Sequence, residues 1–223
     1  MAQVPVAFRN PKDDYDMILV PAGDAIIGSD ENDPDASADE RPQITVDLPA
    51  YYLGLYAVTN EQYREFVRAT GHRTPGPPNW SKPVWDGLSF PREVANHPVV
   101  CVSLADAAAY CEWAGLRLPT EIEWEKAARG ADGRVFPWGN EWDPSRCHSS
   151  ANKGTRGTCP VHDPRYEGGR SYWGHYQMAG NTWEWTWGRY DPRAYEKYLR
   201  GEVALPLPWV PVDGDYVSVR GGR

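Results

Sequence analysis

The sequence predicts an α+β fold in which a few short helices pack on an irregular, mostly antiparallel β framework. Three observations point there. The 223 residues include 11 Trp, 21 Gly and 21 Pro, a mix of bulky rings and backbone punctuation that favours loops held by aromatic packing over long helical ladders. Three segments carry the spacing of a capping box and are each stopped early by a glycine. Apolar alternation occurs only in brief runs, such as ITVDL at 44–48 and TWEWTW at 182–187.

Taken in order, residues 17–29 (MILVPAGDAIIGS) are two apolar runs split by Pro21, Ala22 and Gly23, the pattern of a β-hairpin. ITVDL and YYLGLYAVT then extend the same sheet. Residues 30–41 (DENDPDASADER) between them lack apolar periodicity and read as a solvated acidic loop, with a cation site as the alternative. A first helix begins at Thr59, reciprocated by Gln62, carries Tyr63, Phe66 and Val67 on one face and ends at Gly71. Residues 72–97 are too rich in Pro, Gly, Trp and Asn for a regular element. A second helix starts at Ser103 with Asp106 in the capping position and stops at Gly115. The third runs from Thr120, with Glu123 reciprocating, to a left-handed exit at Gly130. Beyond Val135 only 182–187 and 216–220 (YVSVR) read as strands.

Charge excludes some partners. Lys plus Arg is 23 against 31 for Asp plus Glu, a formal charge of −8, so nucleic-acid phosphates are repelled on average. No apolar stretch reaches membrane-spanning length, and the first residues show no basic segment followed by an apolar run. The expectation is a cytoplasmic protein whose partner is another protein or a small molecule. Four cysteines are too few for a disulfide scaffold. Cys101 and Cys111 fall on apolar positions and read as packing. Cys147-His148 with Cys159 and His162 is a set zinc could use, while a disulfide or simply packed thiols is the preferred account.

In QMAGNTWEW a Gly-Asn turn stands beside Glu184, bringing together the oxygens that a hard cation requires; the alternative is a turn without an ion. This block, with MILVPAGDAIIGS, ERPQITVDLPAYYLGLYAVTNEQYREFV, HPVVCVSLADAAAYCEWAGLRLPTEIEWEKAARG, FPWGNEWD and the closing VRGG, resembles the formylglycine-generating-enzyme (sulfatase-modifying factor) family in order and spacing. The resemblance implies a C-type-lectin-like fold over residues 17–223, preceded by an extension at 1–16 and lacking the domain's final C-terminal segment. It also implies structural calcium, with Gln177, Gly180, Thr182 and Glu184 in the ligand positions. Gln177 departs from the usual Asp or Asn. Asn152 is the remaining candidate for a second calcium site, in the loop at 150–158.

In the family, oxidation of a sulfatase cysteine to formylglycine uses copper held by two cysteine thiolates beyond an RGGSW-like block. No cysteine here lies in a matching position, so no catalytic residue is carried over, and copper is expected only with a segment that supplies the pair. The first functional expectation is therefore a ligand- or protein-binding module, of the kind that scaffolds retroelement-diversified variable proteins. A fragment of the copper oxidase is the second. A sulfoxide synthase is the third, without the histidine triad that such an enzyme carries.

Overall fold

The structure, a computed structural model, describes residues 6–77, 84–152, 154, 157–204 and 215–222. Among them β1 (Ala7–Arg9), β2 (Asp16–Val20) and β5 (Tyr51–Gly54) form an antiparallel sheet in the order β1-β2-β5, β3 (Gly23–Ile27) pairs with β4 (Ile44–Leu48), and β6 (Glu184–Arg189) pairs with β7 (Val217–Arg220). Helices α1 (Asn60–Thr70), α2 (Leu104–Ala114), α3 (Glu121–Arg129) and α4 (Ala194–Leu199) pack between and beside them. The α+β class expected from the sequence is the class observed.

The expected hairpin at 17–29 is not formed. β2 and β3 are both strands, but β2 aligns Ile18 with Leu53 of β5 and β3 aligns Ala25 with Val46 of β4, so the chain turns a corner between two sheets. The reason lies on α3. Lys126, only 2% exposed, donates from Nζ to the carbonyls of Pro21 (2.9 Å) and Gly23 (2.7 Å), satisfying the corner that a hairpin would have satisfied by cross-strand pairing. The strands at 44–48 and 51–54 accordingly belong to different sheets. Residues expected as an extension also join the domain: β1 pairs with β2, and Asp13 accepts a hydrogen bond from the Tyr110 hydroxyl of α2 at 2.6 Å.

The three expected helices are present, each with both arms of its capping box in place. α1 and α2 end on left-handed Gly71 and Gly115. Gly130 differs. Its φ is positive but its ψ is −158°, and a Cβ there would lie 2.7 Å from Cβ of Tyr172, so glycine serves close approach rather than a left-handed helix cap. α4 was not expected: six residues with no side-chain cap give too few turns for a periodic signal.

Three apolar clusters build the interior. Ala25, Ile27, Ile44, Val46 and Leu48 of β3 and β4 meet Ile122 and Tyr195. Tyr63, Phe66 and Val67 of α1 pack on Tyr110 and Ala114 of α2 with Trp85. Val20 meets Trp124, Ala127, Ala128 and Met178. α3 contributes to two of these clusters and is buried continuously from Ile122 to Ala128. Its Glu125, 2% exposed, accepts from the Gly28 N–H (2.8 Å), from Arg129 (2.6 Å) and from Arg220 of β7 (2.6 Å). Burial pushes this carboxyl up; the two guanidiniums and the backbone donor outweigh it and hold the pKa below the ordinary value. Among the described residues no helix is long and apolar enough to cross a membrane.

Truncating Glu125→Ala leaves Arg129 and Arg220 facing a buried void and is expected to lower unfolding free energy by about 3–5 kcal/mol. Thr120→Ala, which removes only a cap, is expected to lower it by about 1 kcal/mol. Urea denaturation of the two variants measures both.

Candidate functional site

Residues 177–184 fold into a tight loop because Gln177, Gly180 and Asn181 all take positive φ, at 56°, 93° and 61°. A Cβ at position 180 would stand 2.6 Å from the His148 carbonyl, which requires glycine there. Asn181 clamps the loop against the cysteine-bearing segment: its Oδ1 accepts from the Cys159 N–H (2.9 Å), its Nδ2 donates to the Cys159 carbonyl (3.2 Å), and its own N–H donates to the His148 carbonyl (2.7 Å). On the other side the Gly180 N–H donates to the Gly221 carbonyl just after β7 (2.5 Å).

The structure places the expected ligands on this loop in different surroundings. Gln177 is buried, and its Oε1 has no partner among the described residues, while its Nε2 faces Cys159 Sγ at 3.6 Å. The Gly180 carbonyl accepts from the Thr182 N–H (2.8 Å), and the Thr182 hydroxyl donates to the Trp183 carbonyl (3.2 Å). Glu184 accepts from Trp124 Nε1 at 3.0 Å. It lines a cavity of about 610 Å³ walled by aromatic side chains including Tyr15, Tyr51, Tyr110 and Trp185. Burial in these surroundings pushes its carboxyl up to about 7, and the Trp124 hydrogen bond only partly opposes this. An orphaned buried amide oxygen, loop carbonyls and a poorly compensated carboxylate are each oxygen donors of the kind a hard cation takes. Asn152 stands apart. Its Oδ1 accepts from the Ser149 N–H (3.1 Å) and its Nδ2 donates to the Pro144 and Cys147 carbonyls, so the side chain closes its own turn.

All four cysteines are free thiols. Burial pushes Cys159 and Cys111 up to about 12 and raises Cys101 as well. The ring of His148 is engaged by the Tyr166 hydroxyl (3.2 Å) and the Gly157 carbonyl (2.8 Å), and His162 packs edge-on against Tyr56. Among the described residues no group of three or more His, Cys, Asp and Glu has metal-holding geometry. Of the readings open for Cys147 and Cys159, packed thiols fit this arrangement.

A larger feature was not legible in the sequence. The acidic loop at 30–41, α3, Trp142 and the β6–β7 ribbon enclose a cleft of about 1240 Å³. Its rim carries rings left in solvent: Tyr216 is 80% exposed, Trp183 62% and Trp142 39%. Tyr190 ties the loop to the end of β6, its hydroxyl donating to Asp39 at 2.6 Å. The acidic run and the aromatic residues are each visible in the sequence, but 151 positions separate Asp39 from Tyr190.

A family model for the "Sulfatase-modifying factor enzyme 1-like domain" matches residues 3–223. The chain belongs to the sulfatase-modifying factor family. It is 36% identical to the formylglycine-generating enzyme of Thermomonospora curvata, over 81% of this chain and 74% of that protein. It is 34% identical to the hercynine oxygenase of Mycolicibacterium smegmatis, over 92% of this chain and 53% of that one. It is also 34% identical to the inactive Cα-formylglycine-generating enzyme 2 of Mus musculus, over 83% of this chain and 73% of that protein. This sulfatase-modifying-factor chain thus spans about half the length of one such relative and about three quarters of the other two. PvdO from Pseudomonas aeruginosa shares the fold with a TM-score of 0.77 at 24% identity, over 99% of this chain and 87% of that one. Treponema denticola variable protein 1 does so with a TM-score of 0.62 at 21%, over 84% and 78%.

The Glu184 shift carries a sign. A folded pKa near 7, above the ordinary 4.5, means this group's contribution is fully present below pH 4.5 and is lost as pH rises through 7. In metal-free buffer the wild type is therefore expected to lose up to about 3 kcal/mol relative to Glu184→Gln between pH 4 and pH 8. Parallel urea titrations of the two proteins across that range check it; equal pH profiles refute the burial of the charge.

Proposed function

We propose that this sulfatase-modifying-factor chain is a binding module whose ligand surface is the cleft between the acidic loop and the β6–β7 ribbon. The observation that carries the reading is the set of solvent-facing rings around a concavity of about 1240 Å³. Rigid aromatic groups bury area on contact with little loss of rotamer entropy, which suits recognition. Relatives named as a generating enzyme, as an oxygenase and as an inactive homologue show that membership alone leaves the activity open.

The oxidase alternative meets a chemical obstacle in the thiols of this chain. Copper(I) is held by a pair of thiolates, whereas Cys159 Sγ faces the Gln177 amide at 3.6 Å and Cys111 packs in the α1–α2 cluster. These two sulfurs have separate partners and do not supply the pair that this ion takes. The oxygenase alternative meets a geometric one: His72 faces Asp106, His97 faces Thr158, His148 faces Tyr166 and His175 faces Ser171, and among the described residues no group of three or more His, Cys, Asp and Glu could hold a metal.

Calcium completes the reading as a structural ion. Gln177, Gly180, Thr182 and Glu184 would hold it, and when bound it would offset the charge of Glu184 and tie the turn to the start of β6. Asn152 belongs to this proposal only if a second ion opens the turn that its side chain now closes.

Two measurements test the proposal. Panning a displayed peptide library on the chain is expected to yield ligands that lose affinity roughly tenfold or more for a Trp183→Ala/Tyr216→Ala variant; a library whose binders ignore both substitutions sinks the cleft as ligand surface. Incubation with copper and a sulfatase-type cysteine peptide is expected to give no aldehyde, and conversion overturns the preference for binding. Separately, calcium at about a hundredfold excess over Kd is expected to raise Tm by about 5–10 °C, and Glu184→Ala is expected to abolish the response. An unchanged melting curve across the titration removes the ion from the reading.

A further inference from the structure

Residues of β2, β5, α2 and β6 wall a second cavity, of about 610 Å³, which the cleft reading leaves unused. Small residues on α2 make the room: Ala107, Cys111 and the capping Gly115 recur at every fourth position, and all three line it. Rings supply much of the remaining wall, and their polar atoms are already engaged. The hydroxyls of Tyr15, Tyr51 and Tyr110 donate to the Tyr56 carbonyl, the Glu123 carbonyl (2.5 Å) and Asp13 (2.6 Å), and Trp185 Nε1 donates to the Val102 carbonyl (3.1 Å). What these side chains offer a ligand is ring carbon. Sulfur joins it, since Met17, Met178 and Cys111 also line the cavity, and sulfur makes favourable contacts with aromatic rings.

One polar group of the wall is not engaged. Tyr63 is 1% exposed, and its hydroxyl has no hydrogen-bond partner among the described residues. A buried hydroxyl in that state is unfavourable, so a ligand oxygen that accepts from it recovers the missing bond.

The charged wall residues set a further condition. Arg117 is matched by both oxygens of Glu123, at 2.8 and 2.6 Å. Glu184 accepts from Trp124 and is the carboxylate that the proposed calcium would take. No charged wall group is thereby left to pair with a charged ligand, and an ion entering apolar surroundings unpaired is strongly disfavoured. The volume falls inside the roughly 300–1,000 Å³ of small-molecule sites. Wall residues Phe8 and Trp183, 36% and 62% exposed, reach the surface and provide an entrance.

We propose that this cavity binds a small, uncharged aromatic molecule bearing one hydroxyl or carbonyl oxygen, with its rings among Tyr15, Tyr110 and Trp185 and its oxygen accepting from Tyr63. The site is separate from the cleft. The two share Met178 and Trp183, but Tyr63 and Ala107 line only the cavity, and Tyr216 lines only the cleft.

The test is equilibrium dialysis of the whole chain in calcium-containing buffer at pH 7 against 2-naphthol, naphthalene, 2-naphthoate and 2-naphthylmethylammonium. One 2-naphthol per chain is expected to bind, more tightly than either ion. Tyr63→Phe breaks no hydrogen bond among the described residues; it is expected to weaken 2-naphthol roughly twofold to tenfold and to leave naphthalene unchanged. Ala107→Phe, which fills the space, is expected to weaken both roughly tenfold or more. Melting curves verify folding, and should Ala107→Phe not fold, the paired Tyr63→Phe measurement decides by itself. A Tyr63→Phe variant that binds 2-naphthol as the wild type does, or that loses both probes equally, overturns the assignment. Binding of 2-naphthol that survives in folded Ala107→Phe, or that falls in Tyr216→Ala, puts the molecule outside the cavity and overturns the site. Tighter binding of either ion overturns the uncharged class. Absence of binding by all four probes overturns the cavity as a ligand site, while the library screen above decides the cleft reading independently.

Discussion

A single buried carboxylate organises this molecule. Glu125 sits in the middle of the most buried helix and would be strongly unfavourable there alone, since transfer of an ion out of water costs several kcal/mol. It persists because three donors from distant parts of the chain converge on it: Gly28 at the end of β3, Arg129 one turn along α3 and Arg220 in β7. The requirement that each donor be in place couples the start of the acidic loop, the central helix and the last described strand. None of the three small sheets is large enough to specify the arrangement of the others by itself.

The same helix positions both candidate sites through neighbouring residues. Trp124, next to Glu125, donates to Glu184 beside the loop that carries the proposed calcium ligands. Gly221, next to Arg220, receives the Gly180 N–H of that loop and packs its backbone near the Trp124 ring. Glu125 and Arg220 also line the cleft. A change in the ion network is thereby felt at the loop and at the cleft together, because rigid packing transmits displacement rather than absorbing it.

Aromatic residues serve two distinct ends here. Tyr63, Phe66, Tyr110 and Trp85 lock α1 to α2 through edge and stacked contacts in the interior. Trp183 and Tyr216 instead remain in water beside a wall of carboxylates. Exposing large rings forgoes burial energy of order 1.5–3 kcal/mol each, a reason to read them as a contact surface. The family resemblance located the oxygen-rich loop, while the cleft emerged from the fold.

What the sequence determined by itself is local. Capping boxes at Thr59, Ser103 and Thr120 set three helices because both partners of each cap lie within one turn. The alternation of ITVDL set a strand with Ile44, Val46 and Leu48 inward. The Gly-Asn turn marked the loop at 177–184 through residues that tolerate positive φ. What only the tertiary structure decided depends on pairs far apart in the chain. β2 and β3 part into separate sheets because Lys126, more than a hundred positions away, captures their corner carbonyls. The acidic loop becomes the wall of a cleft because Asp39 meets Tyr190. Periodicity and capping report on a residue's immediate neighbours, and long-range hydrogen bonds and shared burial leave no such local trace.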